Sequence, residues 1–157
     1  MMKAQETLYG LYSHKPSILS AIAAAFSRMA KPAVLITLGV GVYLHVTRLF
    51  IGAELLIEHI YTATFDVVFA LPMLAGAIGI LTAWKHIVFR NRFEKGITAV
   101  TGAYFWVSVP LHVQTWLSQS TDYILIFPKW YSLVFLVYSS LLMLVWQRLK
   151  IVTERRS

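Results

Sequence analysis

Long apolar stretches alternate with short polar links along this chain. A helix needs about 20 largely apolar residues to cross the hydrocarbon core of a bilayer. Four stretches reach this length: residues 33–51, 67–84, 97–117 and 123–146. Because the links between them are short, consecutive helices should lie antiparallel to one another. The pattern predicts an all-α polytopic membrane protein, folded as an up-down bundle of four transmembrane helices.

The segment before the first predicted span has a different pattern. Ile18, Ile22 and Phe26 recur every four residues, and polar side chains fall on other faces. This spacing is typical of a short amphipathic helix in the membrane interface, with Ser17 as its N-cap. A loosely ordered tail is the alternative. The expected organisation is an N-terminal interfacial segment (1–32), a four-helix transmembrane domain (33–147) and a basic tail (148–157).

The start of the second helix is open to two interpretations. Glu54 and Glu58 follow the first span and are one helical turn apart. If the second helix begins near Glu54, then His59 and Asp66 share one of its faces, two turns apart. Alternatively, a separate amphipathic helix at the outer surface leads into the second span.

Composition supports a membrane location and excludes several kinds of chemistry. Hydrophobic residues make up 58% of the chain and charged residues 13%, whereas an ordinary soluble domain carries about 25% charged residues. This balance excludes a disordered chain and argues against a soluble domain. The chain contains no Cys, so disulfides, thiolate metal sites and Cys nucleophiles are excluded. No complete catalytic motif is present, so catalytic residues stay unassigned and an enzyme is not favoured.

The distribution of charge predicts the orientation. The chain has a net charge of +7, and all but two of its 14 Lys and Arg residues fall before the first span, between the second and third, or after the fourth. The exceptions are Arg48 and Lys129. Cytoplasmic loops are enriched in Lys and Arg, so we expect both termini in the cytoplasm, in a bacterial inner membrane or its equivalent. The basic loop 85–95 is short and lies at the membrane surface, so no nucleic-acid partner is expected.

Histidines and acids collect at the predicted outer ends of the helices. His45 and Arg48 lie in the last turns of the first helix, and His112 lies late in the third. These two helices run in the same direction, so both imidazoles should lie at similar depth. Ionisable groups in a membrane usually face the protein interior or water. The two rings should therefore meet if the first and third helices are neighbours.

Three kinds of ligand fit these residues. Two facing imidazoles are the ligands of a b-type haem, which makes His45, His112 and Arg48 candidate cofactor-binding residues. Mixed nitrogen and oxygen donors suit a divalent metal, with candidate ligands His45, His59, His112, Glu54, Glu58 and Asp66. A one-sided pocket at this end also suits a quinone or a lipid. The simplest alternative is that each histidine only bonds a neighbouring hydroxyl or carbonyl.

The sequence leaves three functions open. The first is a small non-catalytic accessory or assembly subunit of a larger membrane complex. The second is a haem- or metal-binding membrane redox protein that uses His45 and His112. The third is a small oligomeric transporter or a lipid- or quinone-binding protein. In each case the partners are the lipid bilayer and other membrane subunits or further copies of the chain.

Overall fold

The computed structural model describes residues 17–152. This part of the chain is almost entirely helical. In chain order the elements are α1 (Ile18–Ile51), α2 (Ala53–His59), α3 (Ala63–Ala83), a 3-10 turn (Trp84–His86), β1 (Ile87–Val88), α4 (Arg92–Ser118), α5 (Tyr123–Ile126), α6 (Lys129–Arg148) and β2 (Lys150–Ile151). Half of the predicted interfacial segment and half of the basic tail lie outside the described residues, together with Lys3, Lys15, Arg155 and Arg156.

The first helix is longer than predicted. The Ser17 side chain accepts a hydrogen bond of 3.1 Å from the backbone N–H of Ser20, which confirms it as the N-cap. From there α1 continues for 34 residues through Pro32, so within residues 17–152 the predicted interfacial helix is not separate from the first long helix. Its amphipathic stretch forms the first turns of the same helix. At about 1.5 Å per residue, α1 is about 51 Å long, which exceeds the roughly 30 Å of a hydrocarbon core.

The second predicted helix is divided into two. Gly52 has a φ of 92°, a conformation that glycine adopts without strain, and it ends α1. The short helix α2 follows, and α3 starts after Thr62, whose side chain accepts from the N–H of Phe65 at 3.1 Å. The second interpretation is therefore correct in that a separate short helix, α2, leads into the second long helix.

Capping residues set the bounds of α4. Asn91 accepts a hydrogen bond of 2.9 Å from the N–H of Glu94, and the Glu94 carboxylate accepts one of 2.8 Å from the N–H of Arg90. The first bond satisfies an N–H group that a helix start leaves unpaired, and the second holds the residue that precedes the cap. The helix α4 begins five residues before the predicted position 97. It ends at Gln119, which has a left-handed φ of 53°.

The last predicted span is interrupted near its start. Proline disfavours the helical conformation of the residue before it, and Phe127 is extended with φ −78° and ψ 128°. The chain therefore forms the one-turn helix α5, breaks at Phe127 and Pro128, and resumes as α6. After α6, β2 pairs antiparallel with β1, with Ile87 opposite Ile151.

The long helices pack in an antiparallel arrangement around one apolar core. Contacts between the ends show the directions: Gly79 of α3 lies against Ala30 of α1, and Lys31 of α1 donates to the carbonyl of Gln147 on α6 at 2.7 Å. α1 packs against α3 and α6, α3 also packs against α4, and α4 touches α6 only sparsely. The largest buried core side chains come from all four helices: Leu38, Met73, Phe105, Leu142 and Trp146.

Within the described residues, three helices are long and apolar enough to cross a membrane: Ile18–Ile51, Ala63–His86 and Lys129–Arg148. This confirms a helical protein of the membrane type. The predicted count of four is not confirmed, because α4 carries more polar residues and does not reach the same apolarity.

The two ends of the bundle differ in character. At one end, the N–H of Val152 donates to the carbonyl of His86 at 2.9 Å and β1 pairs with β2. The basic residues Arg28, Lys31, Lys85 and Lys150 lie at or near this end. At the opposite end, the helix breaks around α2 and α5 leave irregular backbone, and this is the end that holds His45, Arg48 and His112.

Candidate functional site

A cavity of about 280 Å³ lies at this second end, between α1, α3, α4 and α6. We call it the outer cavity. Two larger grooves, of about 580 and 710 Å³, lie at the basic end, but they are more open and lack the predicted site residues. The outer cavity is lined by Gly41, Leu44, His45, Arg48, Leu56, Tyr61, Phe69, Tyr104, Val107, Ser108, Leu111, His112, Ile124, Phe127, Tyr131 and Phe135.

Arg48 is a buried cation that holds the broken segment between α5 and α6. Its side chain is on the last turn of α1, and the residue is only 4% exposed. The guanidinium donates to the carbonyls of Ile124 at 3.2 Å, Pro128 at 3.4 Å and Phe127, and to the Ser132 hydroxyl at 2.9 Å. Residues 17–152 contain no carboxylate that forms an ion pair with it. Arg48 thus supplies hydrogen bonds to carbonyls that a continuous helix would have satisfied.

His45 is one turn before Arg48 and shares its polar partner. The Nδ1 atom of His45 is 2.9 Å from the Ser132 Oγ atom. The ring stacks on Phe135, with centroids 3.9 Å apart and an interplanar angle of 26°. Gly41 makes this stacking possible, because a Cβ atom there would lie 2.9 Å from the Phe135 ring. The imidazole is therefore fixed in place on the cavity wall.

His112 approaches the same cavity from α4 and is held by an acid. Its Nδ1 atom is 2.5 Å from the Oδ1 atom of Asp66, which is fully buried at the start of α3. The Tyr61 hydroxyl donates to the same Asp66 oxygen. The ring edge of His112 meets Phe69 at a centroid distance of 5.4 Å and an angle of 84°. A buried carboxylate needs such partners because its charge has lost contact with water.

The structure brings together part of the predicted site. His45, Arg48 and His112 line one cavity, although α1 and α4 are not closely packed neighbours. Asp66 joins them through His112. Glu54, Glu58 and His59 are exposed on α2 instead, where the His59 and Glu58 side chains lie 3.8 Å apart. Within residues 17–152, no group of three or more His, Asp or Glu side chains is placed to hold a metal ion, so the six predicted metal ligands are not assembled.

Several residues of the cavity were not predicted. Ser132 and Tyr61 hold His45 and Asp66, and Phe69, Tyr104 and Phe135 form aromatic walls. Aromatic and hydroxyl residues are common in this chain, so no sequence signal distinguishes these from the rest. The only pointer is that Tyr61 lies five residues before Asp66 and Ser132 four residues after the break at Pro128.

The sparse packing between α4 and α6 leaves the cavity open on one side. Val107 and Leu111 of α4 line the cavity and are also 68% and 57% exposed on the outer surface of the bundle. On the facing side, Phe127 at the break and Tyr131 of α6 line the same cavity. The opening therefore lies on the side of the bundle, between α4 and α6, and we call it the lateral opening.

Comparison with protein-family models, with curated protein sequences and with solved structures found no match to this chain.

Proposed function

We propose that this protein binds a small amphiphilic molecule, of the lipid or quinone kind, in the outer cavity. The observation that carries the proposal is the pairing of two fixed imidazoles with an apolar, aromatic lining in one cavity. Sites for small molecules are typically apolar hollows with a few well-placed polar groups. The Nδ1 atom of each histidine is already bonded, so each ring has its Nε2 atom left for a ligand.

The size and opening of the cavity suit a molecule that comes from the bilayer. Its volume of about 280 Å³ is near the lower end of the range of about 300–1,000 Å³ for small-molecule sites. This volume accommodates a head group or a ring, and a long tail would extend through the lateral opening. Val107 and Leu111 border that opening with aliphatic side chains, which favours entry of an apolar molecule over entry of a hydrated ion.

We place α4 across the membrane as the fourth span. It has 27 residues, about 40 Å at 1.5 Å per residue, and it packs against α3. Two of its polar side chains are buried and satisfied within the helix: Thr98 donates to the carbonyl of Glu94 and Thr101 to that of Ile97, each at 2.8 Å. Polar groups satisfied in this way are compatible with a membrane. Its lower apolarity reflects residues that face the bundle and the cavity.

The orientation follows from charge. The end that carries Arg28, Lys31, Lys85 and Lys150 is the basic one, and basic ends face the cytoplasm. Both termini then lie on the cytoplasmic side, in a bacterial inner membrane or its equivalent. The outer cavity opens near the opposite membrane surface.

A second candidate function is that of an accessory subunit in a membrane complex. One observation favours it: Ile18 and Leu19 at the start of α1 are 80% and 79% exposed, and α1 is longer than a hydrocarbon core requires. These first turns offer an apolar surface on which another subunit, or a second copy of the chain, would pack. Ligand binding and subunit assembly are compatible functions.

The test is whether purified protein retains an amphiphile in this cavity. Native mass spectrometry of protein released from lipid nanodiscs should show a bound molecule in wild type. Val107→Trp fills the lateral opening and should reduce the fraction of protein that carries the bound molecule at least about tenfold. Val100→Trp is the matched control, because Val100 is an exposed valine on the same helix that does not line the cavity. Equal occupancy in both variants contradicts binding in this cavity. A haem absorption band would show that the bound molecule is haem and would contradict binding of an amphiphile.

A further inference from the structure

We propose that the outer cavity selects a head group that donates one hydrogen bond and accepts another, so that it binds a quinol in preference to the corresponding quinone. This inference rests on the proposed function and deepens it. Two hydrogen-bond chains reach the Nδ1 atoms of His45 and His112 with opposite polarity. The Nε2 atoms that remain for a ligand therefore have opposite roles.

At His45 the hydrogen-bond chain starts from a group that only donates. The Arg48 guanidinium donates to the Ser132 Oγ atom at 2.9 Å, because arginine has no acceptor. Ser132 is fully buried, so its own O–H requires an acceptor, and the acceptor within reach is His45 Nδ1 at 2.9 Å. Since Nδ1 accepts, the neutral ring carries its proton on Nε2. His45 therefore presents a hydrogen-bond donor to the cavity.

At His112 the hydrogen-bond chain ends on a group that only accepts. The Oδ1 atom of Asp66 receives the Tyr61 hydroxyl and lies 2.5 Å from His112 Nδ1. We assign the Asp66 carboxylate as ionised and the His112 ring as neutral. An ionised carboxylate has no hydrogen to donate, so the ring proton of His112 then lies on Nδ1. The neutral ring then has a lone pair on Nε2. His112 therefore presents a hydrogen-bond acceptor to the same cavity.

A quinol can form a hydrogen bond with the Nε2 atoms of both His45 and His112, whereas a quinone can bond only that of His45. One quinol hydroxyl donates to His112, and the other accepts from His45. The two carbonyls of a quinone only accept, so one of them bonds His45 and the other places a lone pair against that of His112. An unmatched polar contact in a dry site is the main source of such discrimination. The aromatic rings of Phe69 and Phe135, which hold the two imidazoles, also supply apolar walls for the ligand ring.

Three probes of nearly the same shape test the inference. They are a p-benzoquinone with a short alkyl chain, the matching hydroquinone, and the dimethyl ether of that hydroquinone. Binding is measured by anaerobic calorimetric titration of the protein in lipid nanodiscs. Signal from empty nanodiscs is subtracted. We expect the hydroquinone to bind at least about tenfold more tightly than the quinone or the ether, because only it donates to His112.

Variants at His112 and Asp66 test the assigned roles. His112→Phe removes the acceptor and should abolish the preference by weakening hydroquinone binding alone. Asp66→Asn replaces the carboxylate with an amide that can donate to Nδ1, which moves the ring proton to Nε2 and should shift the preference toward the quinone. The ratio of the two affinities is the readout, since a general loss of structure weakens both probes together.

The possible outcomes separate this inference from the proposed function. Equal binding of hydroquinone and quinone by wild type overturns the selectivity and leaves an amphiphile site standing. A preference that persists in His112→Phe overturns the role of His112. If neither probe binds and no amphiphile is retained on purification, both proposals are overturned.

Discussion

Gly79 lies at a point where α1 and α3 approach so closely that one added carbon atom would disturb their packing. A Cβ atom at Gly79 of α3 would lie 2.7 Å from the Cα and 2.8 Å from the Cβ of Ala30 on α1, and 2.8 Å from the carbonyl oxygen of Phe26. Carbon atoms in contact prefer a separation of about 3.5–4.0 Å. Two of these neighbours are backbone atoms, which cannot rotate away. Gly79→Ala therefore requires α1 and α3 to separate locally by roughly 0.8 Å.

The expected cost is moderate and can be measured. Overpacking a well-packed interface typically costs about 1–3 kcal/mol, whereas alanine in place of glycine in a helix gains up to about 1 kcal/mol. The net loss of up to about 2 kcal/mol should lower Tm by up to roughly 8 °C for a chain of this size. The assay is thermal unfolding of the purified protein in a mild detergent. The measured quantity is the fraction of protein that remains monodisperse at each temperature.

Gly39→Ala is the matched control for this substitution. Gly39 is also a helical glycine, on α1, and a Cβ atom there would meet nothing within 4 Å. This variant should be as stable as wild type or slightly more stable, because only the helix propensity changes. If Gly79→Ala is as stable as Gly39→Ala, the close approach of α1 and α3 at Ala30 is refuted.

Three further predictions concern the Arg48 hydrogen bonds, a helix cap and the orientation. Arg48→Met removes the donors to three carbonyls and to the Ser132 hydroxyl, so it should lower the free energy of unfolding by about 3 kcal/mol or more. Thermal unfolding that matches wild type would contradict the role of Arg48 in holding the segment between α5 and α6. Asn91→Ala removes the cap of α4 and should cost about 1 kcal/mol in the same assay, with Asn91→Asp close to wild type. A reporter that is active only outside the cytoplasm should be inactive when fused after residue 157 and active when inserted after Ser120; the reverse result would refute the orientation.

Much of the helical architecture could be predicted because it depends on local pattern. Apolar runs indicate long helices wherever a chain must satisfy its own backbone in an apolar environment. The Ser17 cap was predicted from its residue type and is present. The break at Phe127 and Pro128 was missed, although proline marks it, because Pro32, Pro72 and Pro110 lie inside helices that continue. Whether a proline interrupts a helix depends on which groups donate hydrogen bonds to the carbonyls left unpaired. Here Arg48, from another helix, donates those hydrogen bonds.

The sequence by itself determined the membrane character, the positions of the long helices and the end of the bundle at which His45, Arg48 and His112 collect, because these follow from periodicity and charge along one dimension. Only the tertiary structure decided which of these groups act together. It paired His112 with Asp66, linked His45 to Arg48 through Ser132, and left Glu54, Glu58 and His59 exposed on α2. These pairings are made between helices, over sequence separations of up to 87 residues, and depend on how the helices are rotated about their axes. That rotation is set by close contacts such as Gly79 against Ala30, which no local pattern encodes.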